Sequence, residues 1–130
     1  MRKLFHKDKD GQTIVEFAMI LPVLLLVLFG VTEFGRAIMV TNVLNTASRE
    51  GARLGAVSAV GDTIVEHRVK EVLAAANLKG ATVDPPSYDL SQKTVTVTVR
   101  YNFKVLSGGI LKSFMGTYEL KGTTVMRYEG

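Results

Sequence analysis

From Ile14 to Val31 the chain carries one charged side chain, Glu16; every other residue there is apolar or small, Pro22 included. At about 1.5 Å per residue the run makes a helix about 27 Å long. A bilayer core is about 30 Å thick and takes about 20 residues to cross, so the run spans with help from its flanks. A cleaved secretory signal has a shorter apolar core and a small-residue exit site, which the following LFGVTEFG does not offer. The run therefore reads as a retained anchor. Arg2, Lys3, Lys7 and Lys9 precede it against Asp8 and Asp10. Basic flanks stay cytoplasmic, which implies a single pass with the N-terminus inside and residues 33 onward outside.

At 130 residues the rest of the chain allows one modest domain beside this helix. With no cysteine there are no disulfides, thiolate metal sites or cysteine nucleophiles, so an exported domain must hold itself by packing. The formal charge of +4 includes the basic N-terminal residues. No arginine-rich stripe with interleaved aromatics follows, and nucleic acid is not an expected partner.

The helical pattern outlasts the grease and extends to about Val57, without a clean amphipathic face: Val40 and Leu44 fall off any line through Ile38, Asn42 and Asn45. Ala47, Gly51, Gly55 and Ala59 recur every four residues and share one face, a stripe that admits another helix closely. Its occupant is either the chain's own head or a neighbouring subunit, with Arg49, Glu50 and Arg53 alongside. Gly61 breaks the pattern and Asp62 is a suitable N-cap. Thr63 to Leu78 then predicts a second helix, with Val65, Val69, Val72, Leu73 and Ala76 on one face and Gly80 as terminator. Beyond Asp84-Pro85-Pro86 the grammar changes. Thr94 to Val105 alternates strictly, a strand signal; Thr117 to Tyr128 is a second strand in which Gly122 suggests a bulge. Ser87 to Leu90 makes a short third, and one helical turn fits Ile110 to Phe114. The expected fold is α+β: a long N-terminal helix, a second helix and a small antiparallel sheet of two to three strands. Val95, Val97, Val99, Tyr101 and Phe103 should face Val65, Val69, Val72 and Leu73.

Glu16 needs a reason. A carboxylate at the centre of a spanning helix costs about 2.5 to 3.5 kcal/mol on insertion scales, and less near the end. It either favours the positive end of the helix dipole or answers a cation. KDGQTIVEF followed by a long apolar helix resembles the signal of type IV pilin-like proteins. GQTIVEFAMILPVLLLVLFGVTEFGRA and the later ASREGARLGA resemble the TadE-like family of pseudopilins from tight-adherence pilus systems. The resemblance implies cleavage between Gly11 and Gln12 by a prepilin peptidase, and roles for Glu16 and Phe17 in processing or assembly. It also implies a minor pilin or accessory pseudopilin, partnered by other pilins, inner-membrane pilus assembly proteins and membrane lipid. The chain then divides into a leader (1–11), a spanning half-helix (12–32), its exported continuation (33–60) and a head (61–130). Major pilins of such systems are very short, so the extra α/β part argues against the main fibre subunit. The rival is an uncleaved single-span protein whose head binds an envelope partner.

Glu33 and Arg36 stand three apart at the outer end of the run and can pair on one face, as a membrane-boundary ion pair or a helix contact. His6 and His67 have no ligand spacing, and no nucleophile elbow, phosphate loop or paired carboxylates can be read. No catalytic residue, metal or cofactor is expected. The threonines at 94, 96 and 98 read as a solvated strand face.

Overall fold

A computed structural model of the chain describes residues 7–57, 61–106, 109, 113 and 116–127. The first helix, α1, runs Lys7–Val57 through Pro22, so the membrane run and its continuation are one rod. Its most apolar window is not buried against any other part of the chain. From Glu33 upward the same helix acquires a packed side.

The second helix, α2, spans Asp62–Ala75, follows Gly61 and has no side-chain cap bond. Asp62 is thus its first residue, not its cap, and its charge still meets the positive end of the helix. The helix ends before Leu78 and Gly80, for a reason visible in the backbone. Asn77 is left-handed at φ 60°; its N–H donates to the Ala74 carbonyl, and the Leu78 N–H donates to the Leu73 carbonyl at 2.9 Å. These are the two bonds of a Schellman stop, and Leu73 and Leu78, the residues whose apolar contact usually accompanies it, are both buried in the same core.

Four antiparallel strands follow, one more than the upper expectation: β1 (Thr82–Val83), β2 (Ser87–Asp89), β3 (Thr94–Lys104) and β4 (Thr117–Arg127). β3 is central. β4 pairs with its whole length, Thr94 opposite Arg127 through Lys104 opposite Thr117. β1 and β2 share the other edge, at Val99–Arg100 and Thr94–Thr96. Pro85 and Pro86 lie between them and have no N–H to give the ladder, which divides one edge strand in two. Ala59, Ile110, Phe114 and Tyr128 lie outside the described residues.

The core has three walls. Val95, Val97, Val99 and Phe103 of β3 are buried, as are Val65, Val69 and Leu73 of α2; Tyr101 and Val72 are half-buried. The third wall is α1, which contributes Val40, Leu44, Ala47 and Ala52. Val40 and Leu44 are therefore on the packed face, contrary to expectation. That face runs through Glu33, Val40, Leu44, Ala47, Gly51 and Gly55 and was obscured because its members change from charged to large to tiny. Ser48, fully buried, shares a 2.7 Å hydrogen bond with Thr124 of β4.

The ladder continues evenly through Gly122, opposite Val99, so there is no bulge. Gly122 is where α1 lies on the sheet: a Cβ there would come within 2.6 Å of the Leu44 carbonyl carbon and 2.9 Å of the Asn45 nitrogen. Since backbone cannot yield as a side-chain tip can, Gly122→Ala should destabilise the head by about 1–3 kcal/mol. Denaturant unfolding of the detergent-solubilised protein, followed by circular dichroism, reads that loss.

The β2–β3 hairpin is closed by Asp89, whose carboxylate accepts from the Ser91 hydroxyl and from the N–H groups of Ser91 and Gln92. The Ser91 hydroxyl bond, then the two N–H bonds, hold its pKa below the ordinary 3.8. A lowered carboxylate pKa means the folded state binds its proton less readily than the unfolded state. Its contribution is complete above the ordinary value and disappears as pH falls through the lowered one. Protection factors at Ser91 and Gln92, taken relative to the intrinsic exchange rate at each pH, should accordingly fall only in that acid window, and Asp89→Asn should abolish that fall.

Candidate functional site

Gly11, Gln12, Glu16 and Phe17 all lie in the first turns of α1 and are exposed. The bond between Gly11 and Gln12 is inside the helix. Two side chains bridge it or its neighbour: Thr13 Oγ1 donates to the Lys9 carbonyl at 3.0 Å, and Gln12 Nε2 donates to Glu16 Oε1 at 3.3 Å. Glu16, at i+4, leans back toward the N-terminus as helical side chains do. Gly11 makes this turn weaker than alanine would, by about 0.5–1 kcal/mol.

Glu33 and Arg36 do pair, at 3.1 Å, but they do more than end the span. Glu33 is only 8% exposed. Its Oε1 accepts the Leu106 N–H at 3.0 Å. Arg36 donates to the Lys104 carbonyl, and its guanidinium lies 4.4 Å from the centre of the Phe103 ring, within cation–π range. Together the two residues fasten the last residues of β3 and the chain just beyond them to α1, immediately above the apolar run. The partners lie about seventy residues away in sequence, so spacing along α1 could not have disclosed them.

The small-residue stripe is occupied by the chain itself. A Cβ on Gly51 would meet Val69 Cγ2 at 2.5 Å and Val97 Cγ1 at 3.2 Å; one on Gly55 would meet the Tyr88 hydroxyl and Val95 Cγ2, both at 3.3 Å. Ala47, Gly51 and Gly55 are buried inside the head. They leave no surface for a neighbouring subunit at those positions. Glu50, beside them, is held by Arg53 at 3.5 Å and by Arg68 of α2 at 3.8 Å.

On the outer sheet face Arg100 holds Asp84 at 2.8 Å and Glu119 at 3.0 Å, and the Thr98 and Thr123 hydroxyls meet at 3.4 Å. Thr94, Thr96 and Thr98 are half-buried on this face. His67 is exposed beside Glu71. Among the described residues no cluster of His, Asp and Glu could hold a metal ion.

An unburied apolar helix continuing into an α+β head is the layout of a single-pass membrane protein with a folded domain on its anchor. Residues 11–53 match the family of TadE-like proteins, in agreement with the resemblance seen in the sequence. No curated protein and no solved structure matches the chain.

Removing the Glu33 carboxylate takes away a charged hydrogen-bond acceptor and leaves Arg36 without its ion-pair partner. Hydrogen bonds to charged groups contribute about 1.5–3 kcal/mol. Glu33→Ala should weaken the head by an amount in that range and raise amide exchange at Leu106 more than at Ser91. Glu33→Gln, which keeps an acceptor for the Leu106 N–H, should recover part of the protection at that amide.

Proposed function

We propose that the chain is a minor pilin or accessory pseudopilin of a tight-adherence pilus. It is made as an inner-membrane precursor and trimmed between Gly11 and Gln12 by a prepilin peptidase at the cytoplasmic face. The single observation that carries this reading is the family match, which opens at Gly11 and continues through the span to Arg53. The unburied apolar half of α1 supports it. Such a surface is satisfied by lipid before assembly and by other apolar helices after it. Glu16 supports it too. Its hydrogen bond to Gln12 joins it to a neutral amide, whereas trimming would create a cation at the same residue. A carboxylate and an ammonium buried together are tolerated while both are present, and each is costly alone.

One feature favours the rival, an uncleaved anchor whose head binds an envelope partner: α1 passes through Gly11 and Gln12 without interruption. A peptidase acts on the opened form of such a segment, so the turn must unwind before it is cut.

The intact mass of the protein, from cells with and without the peptidase, decides between them. The expected result is a chain beginning at Gln12 in the first and at Met1 in the second; Met1 in both favours the rival. Glu16→Ala should insert normally and lower pilus assembly. Wild-type pilus output from that variant would remove Glu16 from the mechanism.

A further inference from the structure

We propose that the head rests on the outer surface of the membrane through the end of its sheet where β3 leaves and β4 begins, with Leu106 as the lipid-contacting residue. The proposal rests on residues 14–31 crossing the bilayer, and on nothing about trimming or pili.

α1 and β3 run in opposite directions along each other. Glu33 touches Leu106 and Arg36 touches Lys104 and Phe103. Higher up, Gly51 faces Val97 and Gly55 faces Val95. From Glu33 to Gly55 α1 rises about 33 Å; from Leu106 back to Val95 an extended chain covers about 36 Å. The two rods are therefore matched along their length, and the β3 end of the sheet is held at the foot of the exported helix.

Glu33 stands two residues beyond Val31, about 3 Å along the axis. Leu106 is joined to it by a 3.0 Å hydrogen bond, which puts Leu106 at the edge of the hydrocarbon. Leu106 is 74% exposed, an apolar side chain left largely uncovered. Phe34, one residue past Glu33 on α1, is 69% exposed. Arg36 is about 7.5 Å above Val31, within the headgroup layer. At that height lie exposed Lys104 and Tyr118, the latter paired with Phe103. A large apolar residue at the hydrocarbon edge with a tyrosine and a lysine just above it is the composition of a membrane interface. Leu90 is the contrast. It is 79% exposed, but it is in the β2–β3 turn, at the far end of the sheet.

The chain has no cysteine, so single labels can be placed cleanly in the full-length protein. Leu106→Cys, Leu90→Cys and Leu26→Cys are each labelled with an environment-sensitive fluorophore. They are then reconstituted into phosphatidylcholine–phosphatidylglycerol vesicles carrying a nitroxide on the headgroup or on a shallow acyl carbon. The shallow nitroxides should quench the label at 106 and not the label at 90. Quenching at 106 no greater than at 90 overturns the proposal: both dark means the head lies flat, and both bright means the end of the sheet faces water or protein. Should Leu106→Cys fold poorly, Tyr118→Cys reports the same end, with the headgroup nitroxide as the stronger quencher. The label at Leu26 gauges the span itself. If no nitroxide quenches it, the anchor is not inserted, and both the spanning assignment and the proposal fail.

Discussion

The head is built on a helix face that is nearly bare. Above Leu44, α1 presents Ala47, Ser48, Gly51, Ala52 and Gly55 to its neighbours, and every one of them is buried. With so little side chain in the way, valines of α2 and β3 close over the helix and touch its backbone, and at Gly122 the sheet's backbone meets α1's own. Close approach multiplies small dispersion contacts in place of large apolar area. Without α1 the sheet and α2 would keep their valines but lose the surface on which these meet. The membrane anchor and the keystone of the head are thus the same helix, with no linker between them.

That continuity governs how copies of the chain can meet. Among the described residues β4 pairs only with β3, leaving a long outer edge of the kind that invites another strand. Two identical edges joined antiparallel are related by a twofold axis normal to the sheet. Such an axis reverses every direction in its plane, including that of α1, which lies along β3. The two spanning halves would then point into different membranes. Anchoring in one bilayer therefore excludes antiparallel self-pairing through β4, although nothing in the strand's own hydrogen bonding does. Lys121, Glu119 and Arg127, exposed along β4, discourage it further.

Much of this was legible in the sequence because it is periodic. The unbroken apolar run, the valine alternation of β3 and the 3.6-residue spacing of Val65, Val69 and Leu73 each repeat within one element, and each appears where expected. What stayed hidden depends on partners distant along the chain. Val40 and Leu44 fall on no continuous apolar line in the sequence because the face they belong to is completed by glycines, which carry no hydropathy signal. Gly122 looked like a defect in a strand; its meaning lies in Leu44 and Asn45. The stop of α2 falls on Asn77, which takes up a left-handed backbone more readily than most residues other than glycine, and not on Gly80. For the candidate site, the pairing of Glu33 with Arg36 followed from their spacing, but its attachment to Lys104 and Leu106 did not. Gly11, Gln12 and Glu16 stand out by motif alone, for their side chains meet no distant part of the fold.

The two acids that bracket the span make a comparison within one helix. Glu33, at the outer end, is buried, and the fold supplies what a buried carboxylate requires: a guanidinium and a backbone N–H. Its charge is accounted for by residues of the same chain. Glu16, at the inner end, is exposed and has a neutral amide at 3.3 Å; among the described residues no ion pair to it is present. The fold thus completes one acid with its own residues and leaves the other with a weak local contact at the rim of the span.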